Sequence, residues 1–306
     1  MQKLMLILNP AAGKGGGLSS LTMVLEILHN GGFVPTVFFT SGAGDATRLV
    51  LEHANEYDCV TCIGGDGTLS ETVTGLTQLE NPPLLGYIPQ GTANDVAATL
   101  KLSTMPLVSA RTVVTGTPIP IDVGKFNDES YFTYVAAFGA FTEVSYETPR
   151  EVKQTLGQLG YVLTAMTKLA TLSEYPVTIE HDGGIIKDTL IFGSVSNSTS
   201  VAGIMKLSDS VVELNDGLFE VILISRPSNL VELNSIISNV LSGNFSGSQV
   251  TILKSSKIKF TFDRPVKWTR DGEAGGSHSE VVLENIPSPI KIMTPSRNRN
   301  IKRAVT

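Results

Sequence analysis

The sequence predicts an α/β domain followed by a largely antiparallel β domain. Through residue 125, short apolar runs alternate with helix-period segments, which is the pattern of a doubly wound parallel sheet. After Pro118 the chain turns to many short β-rich runs, separated by turn signals such as Asp182-Gly183-Gly184 and Asp216-Gly217. That spacing suits a β-sandwich. The length of 306 residues also accommodates two domains of ~150 residues each. The expected division is 1–125, completed by 294–306, and 126–293.

The elements follow in order. Leu4–Leu8 reads as a strand, Leu18–Asn30 as an amphipathic helix stopped by Gly31-Gly32, and Phe33–Phe39 as a strand. Asp45–Asn55 is a helix with Leu49, Val50 and Ala54 on one face. Cys59–Ile63 is a strand, and the helix after it runs through Leu69, Val73 and Leu76. Leu84–Ile88 is a strand, followed by helical stretches from Asn94 and from Pro106. Ile119–Phe126 and Tyr131–Ala137 read as paired strands, and 147–172 as a long helix. Strands are then expected at Val177–His181, Thr189–Val195, Phe219–Ile224, Val250–Leu253, Lys257–Phe262, Val266–Thr269, Glu280–Leu283 and Ile290–Met293.

Composition narrows the class of function. With 42% hydrophobic and 17% charged residues the chain is globular, too apolar for disorder. The net charge of −6 argues against nucleic acid as the main partner. Apolar runs such as Leu4–Leu8 fall far short of the ~20 residues of a membrane span. The N-terminus enters a strand directly rather than a signal peptide, so a cytoplasmic location is expected. Cys59-Val60-Thr61-Cys62 spells a CxxC, but strand residues three apart face opposite sides, so the pair reads as apolar filler. The four histidines show no ligand spacing and read as structural.

Three glycine-bearing turns each follow a predicted strand: Asn9–Gly15, Gly64–Leu69 and Pro89–Asp95. Ligands of open α/β sheets bind at these strand ends, where glycine lets backbone N–H groups approach an anion. Each turn alone reads equally as a plain loop; together they point to a polyphosphate site. Asp66, set among glycines, would repel phosphate unless a cation intervened, so it points to Mg²⁺ held through water. Asp95 and Asp122 are candidates to support that ion. Their plain readings are a first-turn helix acid and a strand-end turn residue.

Gly64-Gly-Asp-Gly-Thr68 with Gly91-Thr-Ala-Asn-Asp95 resembles the diacylglycerol kinase catalytic domain family, which includes sphingosine and ceramide kinases. Asn9-Pro-x-x-Gly13, Ile121-Asp-Val-Gly124, Asn215-Asp-Gly-Leu218 and Asp271-Gly-Glu273 extend the resemblance over nearly the whole chain, most closely to the soluble bacterial lipid kinase branch. The resemblance implies ATP and Mg as cofactors, with the nucleotide in a cleft between the two domains. Carried over residue by residue, the nucleotide contacts are Asn9, Pro10, Ala11, Ala12, Gly13, Thr40, Gly65, Asp66, Gly67, Thr68, Leu69, Ser70, Glu71 and Thr92. Ser70 departs from the Asn frequent in the family, and the segment 196–203 has fewer glycines than its family counterpart.

The same resemblance makes Asp271-Gly-Glu273 the source of the base that accepts the acceptor hydroxyl's proton, either carboxylate being eligible; unaided, the dipeptide Asp271-Gly272 is a hairpin turn. It also implies a structural Mg at Asp216, with backbone oxygens of Glu213, Asp216 and Leu218. The activity implied is γ-phosphoryl transfer to a lipid hydroxyl, with diacylglycerol giving phosphatidic acid. Alternatives are a sphingoid lipid, phosphatidylglycerol or NAD as acceptor, or an inactive nucleotide-binding regulator. The expected partner is a lipid at the inner membrane surface, reached peripherally, and a homodimer is the candidate assembly. Lys14, Lys153, Lys168 and the basic segment 297–303 are candidate contacts to anionic lipid.

Overall fold

The structure, a computed structural model, describes residues 1–15, 19–128, 130–140, 173–198, 200–201, 205–206, 214–229 and 249–296, with single positions between 232 and 247. The chain divides into two compact units, Met1–Ile121 with Pro289–Thr306, and Asp122–Ser288. The first boundary lies within β5 (Thr117–Phe126), and the second within the final strand, β15 (Glu273–Thr294). The divisions expected from the sequence, at 125/126 and 293/294, fall four and five residues further along the chain.

In the first unit β1 (Gln2–Leu8), β2 (Phe33–Phe39), β3 (Cys59–Gly64) and β4 (Leu84–Pro89) form a parallel sheet in the order β4-β3-β1-β2. The end of β15 adds to β4 through the parallel pair Ile292–Leu85. Leu4 to Leu8 are all fully buried, as a central strand with both faces covered requires. Each such side chain contributes ~1.5–3 kcal/mol on burial, an upper bound for a compact unfolded chain.

The helices are α1 (Leu21–Asn30), α2 (Asp45–His53), α3 (Asp66–Thr77), α4 (Asp95–Thr99) and α5 (Pro106–Thr115). Right-handed crossovers put α1 and α5 on one face of the sheet and α2 and α3 on the other, and each pair packs together. α1, α2 and α3 each join two parallel strands and so run antiparallel to them. Each therefore begins near the end of the sheet where β1, β3 and β4 stop.

The second unit is mostly β in its described residues, with helical positions at 232, 235, 236 and 239. Its further strands are β6 (Ser130–Phe132), β7 (Val135–Gly139), β8 (Tyr175–His181), β9 (Gly184–Ser196), β10 (Ser200–Val201), β11 (Met205–Lys206), β12 (Phe219–Ser225), β13 (Val250–Ser255) and β14 (Lys257–Arg270). Two long strands build the sandwich. β9 pairs β8 through its first half and β7 through its second. β14 does the same, pairing β8 over Ile258–Phe262 and β7 over Trp268–Arg270, with its register against β15 shifting between Thr261 and Val266. Strands that pass between layers through such irregularities close the corners of a sandwich. Trp268 and Phe138 sit at its centre, ring centroids 4.8 Å apart.

Three local expectations change. Lys257–Phe262 and Val266–Thr269 belong to one strand, because Asp263 to Pro265 form an irregularity within it and not a turn. Glu280–Leu283 and Ile290–Met293 likewise belong to β15. The expected strand Tyr131–Ala137 breaks at Thr133-Tyr134, where successive N–H groups bond to a side chain instead of a neighbouring strand. The expected helix 147–172 lies outside the described residues.

Candidate active site

The three glycine turns converge backbone to backbone at one end of the parallel sheet. Gly65 and Gly91 meet so closely that a Cβ on Gly91 would lie 2.6 Å from the Gly65 Cα. Gly13, at φ +59°, packs its Cα against the Gln90 carbonyl, where a Cβ would approach to 2.6 Å. Any side chain at these two contacts would push the loops apart. Gln90 N–H donates to the Gly64 carbonyl at 2.7 Å, and Asn9 Nδ2 donates to Thr68 Oγ1 at 3.0 Å. Asn9 Oδ1 also accepts from Ala11 N–H at 3.0 Å. The result is a glycine-lined floor beside the N-terminus of α3, a twelve-residue helix whose dipole favours an anion.

Asn94 holds the third turn from within. It is buried in the left-handed conformation (φ +53°), accepts from Gly91 N–H at 2.8 Å and donates to the Gly91 carbonyl at 2.9 Å. In the sequence Asn94 stands out only as part of a motif; the signal available is the tolerance of Asn for left-handed backbone. Gln90 likewise falls within the expected Pro89–Asp95 turn, and its contribution is its backbone.

Two acidic residues of this unit stand at helix starts beside the floor. Asp66 opens α3 and Asp95 opens α4, and Val96 N–H reaches Asp66 Oδ1 at 3.4 Å. Both charges act on the buried Tyr87 hydroxyl, whose pKa is raised, chiefly by burial and then by Asp66 and Asp95. Asp66 and Asp95 are the carboxylates at this end that fit Mg²⁺, which takes one or two protein carboxylates and leaves its other positions to water and phosphate oxygens.

The other expected nucleotide contacts differ in exposure and in the bonds they make. The Leu69 side chain is fully buried in the core and its N–H bonds the Gly65 carbonyl, so it supports the floor from beneath. Glu71 caps α2, its two carboxylate oxygens accepting from Gly44 N–H at 2.8 Å and Ala46 N–H at 3.1 Å. Thr40 is buried at the end of β2, with its N–H on the Leu8 carbonyl. Pro10, Ala11, Gly13 and Thr92 are exposed, and Ala12, Gly65, Asp66, Gly67 and Ser70 are half-buried.

Within the second unit, Asp122 is fully buried and its carboxylate is heavily engaged. Oδ2 accepts from Gly217 N–H at 2.7 Å, and Oδ1 from Ser288 N–H at 2.7 Å and Ser288 Oγ at 3.3 Å. Asn197 Nδ2 donates to the Asp122 carbonyl at 3.0 Å. Asp122 thus ties the Asn215–Gly217 turn to Ser288.

Asp271 and Glu273 separate cleanly. Asp271-Gly272 is a two-residue hairpin turn between β14 and β15, with φ +48° and +79°, the geometry of a type I′ turn. The Asp271 carboxylate is buried and accepts from three successive backbone amides: Thr133 at 2.7 Å, Tyr134 at 3.0 Å and Val135 at 3.1 Å. Glu273 is exposed.

At the expected structural metal site, Asp216 Oδ1 accepts from Leu218 N–H, and Oδ2 lies 2.8 Å from Lys254 Nζ. Lys254 also lies 3.1 Å from Oε1 of the fully buried Glu220. That second pairing is an ion pair by distance without hydrogen-bond alignment, since neither Glu220 oxygen has a hydrogen-bond partner. Burial pushes the Glu220 carboxyl up to about 7, against the downward pull of Lys254. Glu213 lies outside the described residues. Among the described groups, the Lys254 ammonium is the cation at Asp216.

The thiols of Cys59 and Cys62 are buried, free, and raised to about 11 and about 12 by burial. Among the described residues no group of three His, Cys, Asp or Glu is placed to hold a metal, and no helix is long and apolar enough to cross a membrane. The side chains of Lys14, Lys153 and Lys168, and the segment 297–303, lie outside the described residues.

Residues 3–126 match the diacylglycerol kinase catalytic domain. The chain is 35% identical over 279 residues to a diacylglycerol kinase of Bacillus subtilis, covering 90% of this chain and 91% of that one. The chain belongs to the diacylglycerol kinase family. A second diacylglycerol kinase, from Staphylococcus carnosus, is 32% identical over 299 residues, covering 96% of both chains. Residues 137–294 match the YegS C-terminal NAD kinase beta sandwich-like domain, in accord with the observed strand layers. A crystal structure of a diacylglycerol kinase from Bacillus anthracis superimposes with a TM-score of 0.79 at 26% identity, covering 96% of this chain and 97% of that one. This diacylglycerol kinase family member is therefore a lipid kinase of two domains, α/β and β-sandwich.

Proposed function

We propose that the protein transfers the γ-phosphoryl group of ATP to the free hydroxyl of diacylglycerol, giving phosphatidic acid, in a Mg²⁺-dependent reaction at the inner membrane surface. The observation that carries the reading is the convergence of three glycine turns on one floor, with Asp66 and Asp95 beside it. Backbone N–H groups of this floor and the start of α3 hold the phosphate chain. Thr68, its hydroxyl oriented by Asn9, lies at the same place. A Mg²⁺ ion carried by Asp66 and Asp95 would neutralise phosphate charge as the bridge to the leaving ADP breaks. Asp122 is left outside this set, because three donors already engage its carboxylate.

The transfer forms a bond from the lipid hydroxyl oxygen to the γ-phosphorus and breaks the bond to the β–γ bridging oxygen. The hydroxyl proton must go to a base. Of the two candidates we assign this to Glu273. Its carboxylate is exposed, whereas that of Asp271 is buried and held by three amides. Asp271 is the positioning residue that fixes the hairpin carrying Glu273.

The second domain's likeness to that of NAD kinases keeps NAD as the competing acceptor. A panel of diacylglycerol, a sphingoid base, phosphatidylglycerol and NAD, each with labelled ATP, separates the readings. Preferential labelling of diacylglycerol is expected. Labelling of NAD alone overturns the lipid assignment, and no transfer to any acceptor supports an inactive nucleotide-binding regulator.

A further inference from the structure

The end of the first unit that carries the phosphate floor also carries a small apolar and basic surface to which the reaction assigns no role. Met105 precedes α5 and is 64% exposed; Val108 in the first turn is 38% exposed. Arg111, one turn further, and Lys101, before the helix, are exposed as well. Residues 105, 108 and 111 follow the i, i+3 spacing of a single helix face. Ser109, Ala110 and Val113 are buried on the opposite face, which fixes that stripe as the outer one. Arginine so placed covers its apolar neighbours with its stem and keeps its charge outward.

The neighbouring helix presents a further exposed apolar side chain at the same end. α1 and α5 are both ten residues long and pack together, and their C-terminal ends meet where Gly31, the residue capping α1, abuts Val114. Their first turns therefore lie at the same end, and Met23 in the first turn of α1 is 48% exposed. The acid on this part of α1 is Glu26, one turn deeper. From 96 to 121 the chain holds no Asp or Glu, while Lys101 and Arg111 are its charges. In a protein of net charge −6, that local reversal matches a negatively charged surface.

We infer that Met23, Met105 and Val108, flanked by Lys101 and Arg111, form the face that seats this protein on an anionic bilayer. The inference rests on the lipid-kinase reading for its purpose, though not for its physics. Three exposed apolar side chains enter the headgroup region while the two cations meet lipid phosphates, and the floor's end of the unit turns toward the membrane.

The test uses the full chain and vesicles of phosphatidylcholine with and without phosphatidylglycerol, read by co-sedimentation. The parent should bind the anionic vesicles and bind pure phosphatidylcholine at least tenfold more weakly. M105S/V108S and R111E should each weaken anionic-vesicle binding by roughly tenfold. Ile185→Ser, at a 67% exposed position in the other unit, should leave it unchanged. Turnover of a short-chain diacylglycerol dissolved as monomers should stay at the parent's level in all these variants. Equal vesicle binding by the parent and the face variants overturns the proposal, and so does a loss of self-association in place of vesicle binding. If no diacylglycerol is phosphorylated while the face still governs vesicle binding, the lipid-kinase reading fails and this face stands.

Discussion

The Asp271 carboxylate accepts a 2.7 Å hydrogen bond from the backbone amide of Thr133, 138 residues away in sequence. Two more amides, of Tyr134 and Val135, complete the clamp, and Asp271 N–H returns a bond to the Val135 carbonyl at 2.9 Å. A buried turn is thereby locked to the hairpin that carries Glu273. The two carboxylates that sequence alone left equivalent thus stand in different surroundings, Asp271 buried and Glu273 exposed.

The first prediction follows from that difference. Glu273→Gln should lower kcat by ~10²–10⁴-fold, the range of a lost general base, with the melting temperature unchanged. Asp271→Ala should leave three buried amides without an acceptor, at about 1–3 kcal/mol each, and lower the melting temperature by several degrees or more. Thermal melts run beside turnover assays check both. A Glu273→Gln enzyme with parent-like kcat would return the base to Asp271.

Asp66→Asn keeps shape and hydrogen bonding while removing the charge proposed to carry Mg²⁺. The variant should fold normally, bind nucleotide, and lose most of its activity, with the Mg²⁺ concentration for half-maximal rate displaced upward. Titration of rate against Mg²⁺ reads this out. An unchanged Mg²⁺ dependence would remove Asp66 from the metal site.

Lys254 carries the third prediction. The resemblance implied a metal at Asp216, yet the structure places an ammonium there, bridging toward the buried Glu220. Without nucleotide, added Mg²⁺ should leave the parent's melting curve where it is. Lys254→Met should destabilise the fold by about 2–3 kcal/mol, somewhat below the ~3–5 kcal/mol of a fully buried broken pair, because Lys254 is about one-third exposed. A Mg²⁺-dependent rise in the parent's melting temperature would show that Asp216 holds a metal after all.

The fourth concerns the CxxC. Thiols raised to about 11 and about 12 carry a thiolate fraction on the order of one in a thousand or less at pH 8. For an acid raised by burial the sign is toward the neutral form, so reactivity should stay low until pH climbs well above 9. A disulfide-exchange reagent should modify neither cysteine in the folded protein at pH 8 and both in denaturant. Rapid modification of the native chain would contradict the buried assignment.

The parallel sheet was legible because its strands are unbroken apolar runs bounded by glycine turns, and the central strand Leu4–Leu8 is buried just as that pattern requires. The glycine floor was legible as three separate motifs. Their mutual contacts were not, because Gly65 meets Gly91 through tertiary packing that no local pattern encodes. Strand lengths in the second unit were misjudged for the opposite reason. Asp263 to Pro265 look like a turn, yet β14 continues through them because its two halves pair different neighbours. The roles of Asp122, Lys254 and Glu220 were hidden as well. Each depends on a partner more than thirty residues distant or on burial, and single-residue chemistry reveals neither.

The central claim is phosphoryl transfer from ATP to diacylglycerol, and one measurement addresses it directly. The purified protein is incubated with γ-labelled ATP, Mg²⁺ and a total lipid extract, and the labelled product is separated and identified. The account predicts one dominant labelled lipid, phosphatidic acid, that disappears with Asp66→Asn and Glu273→Gln. Label confined to water-soluble acceptors, or to a lipid with another backbone, would contradict it.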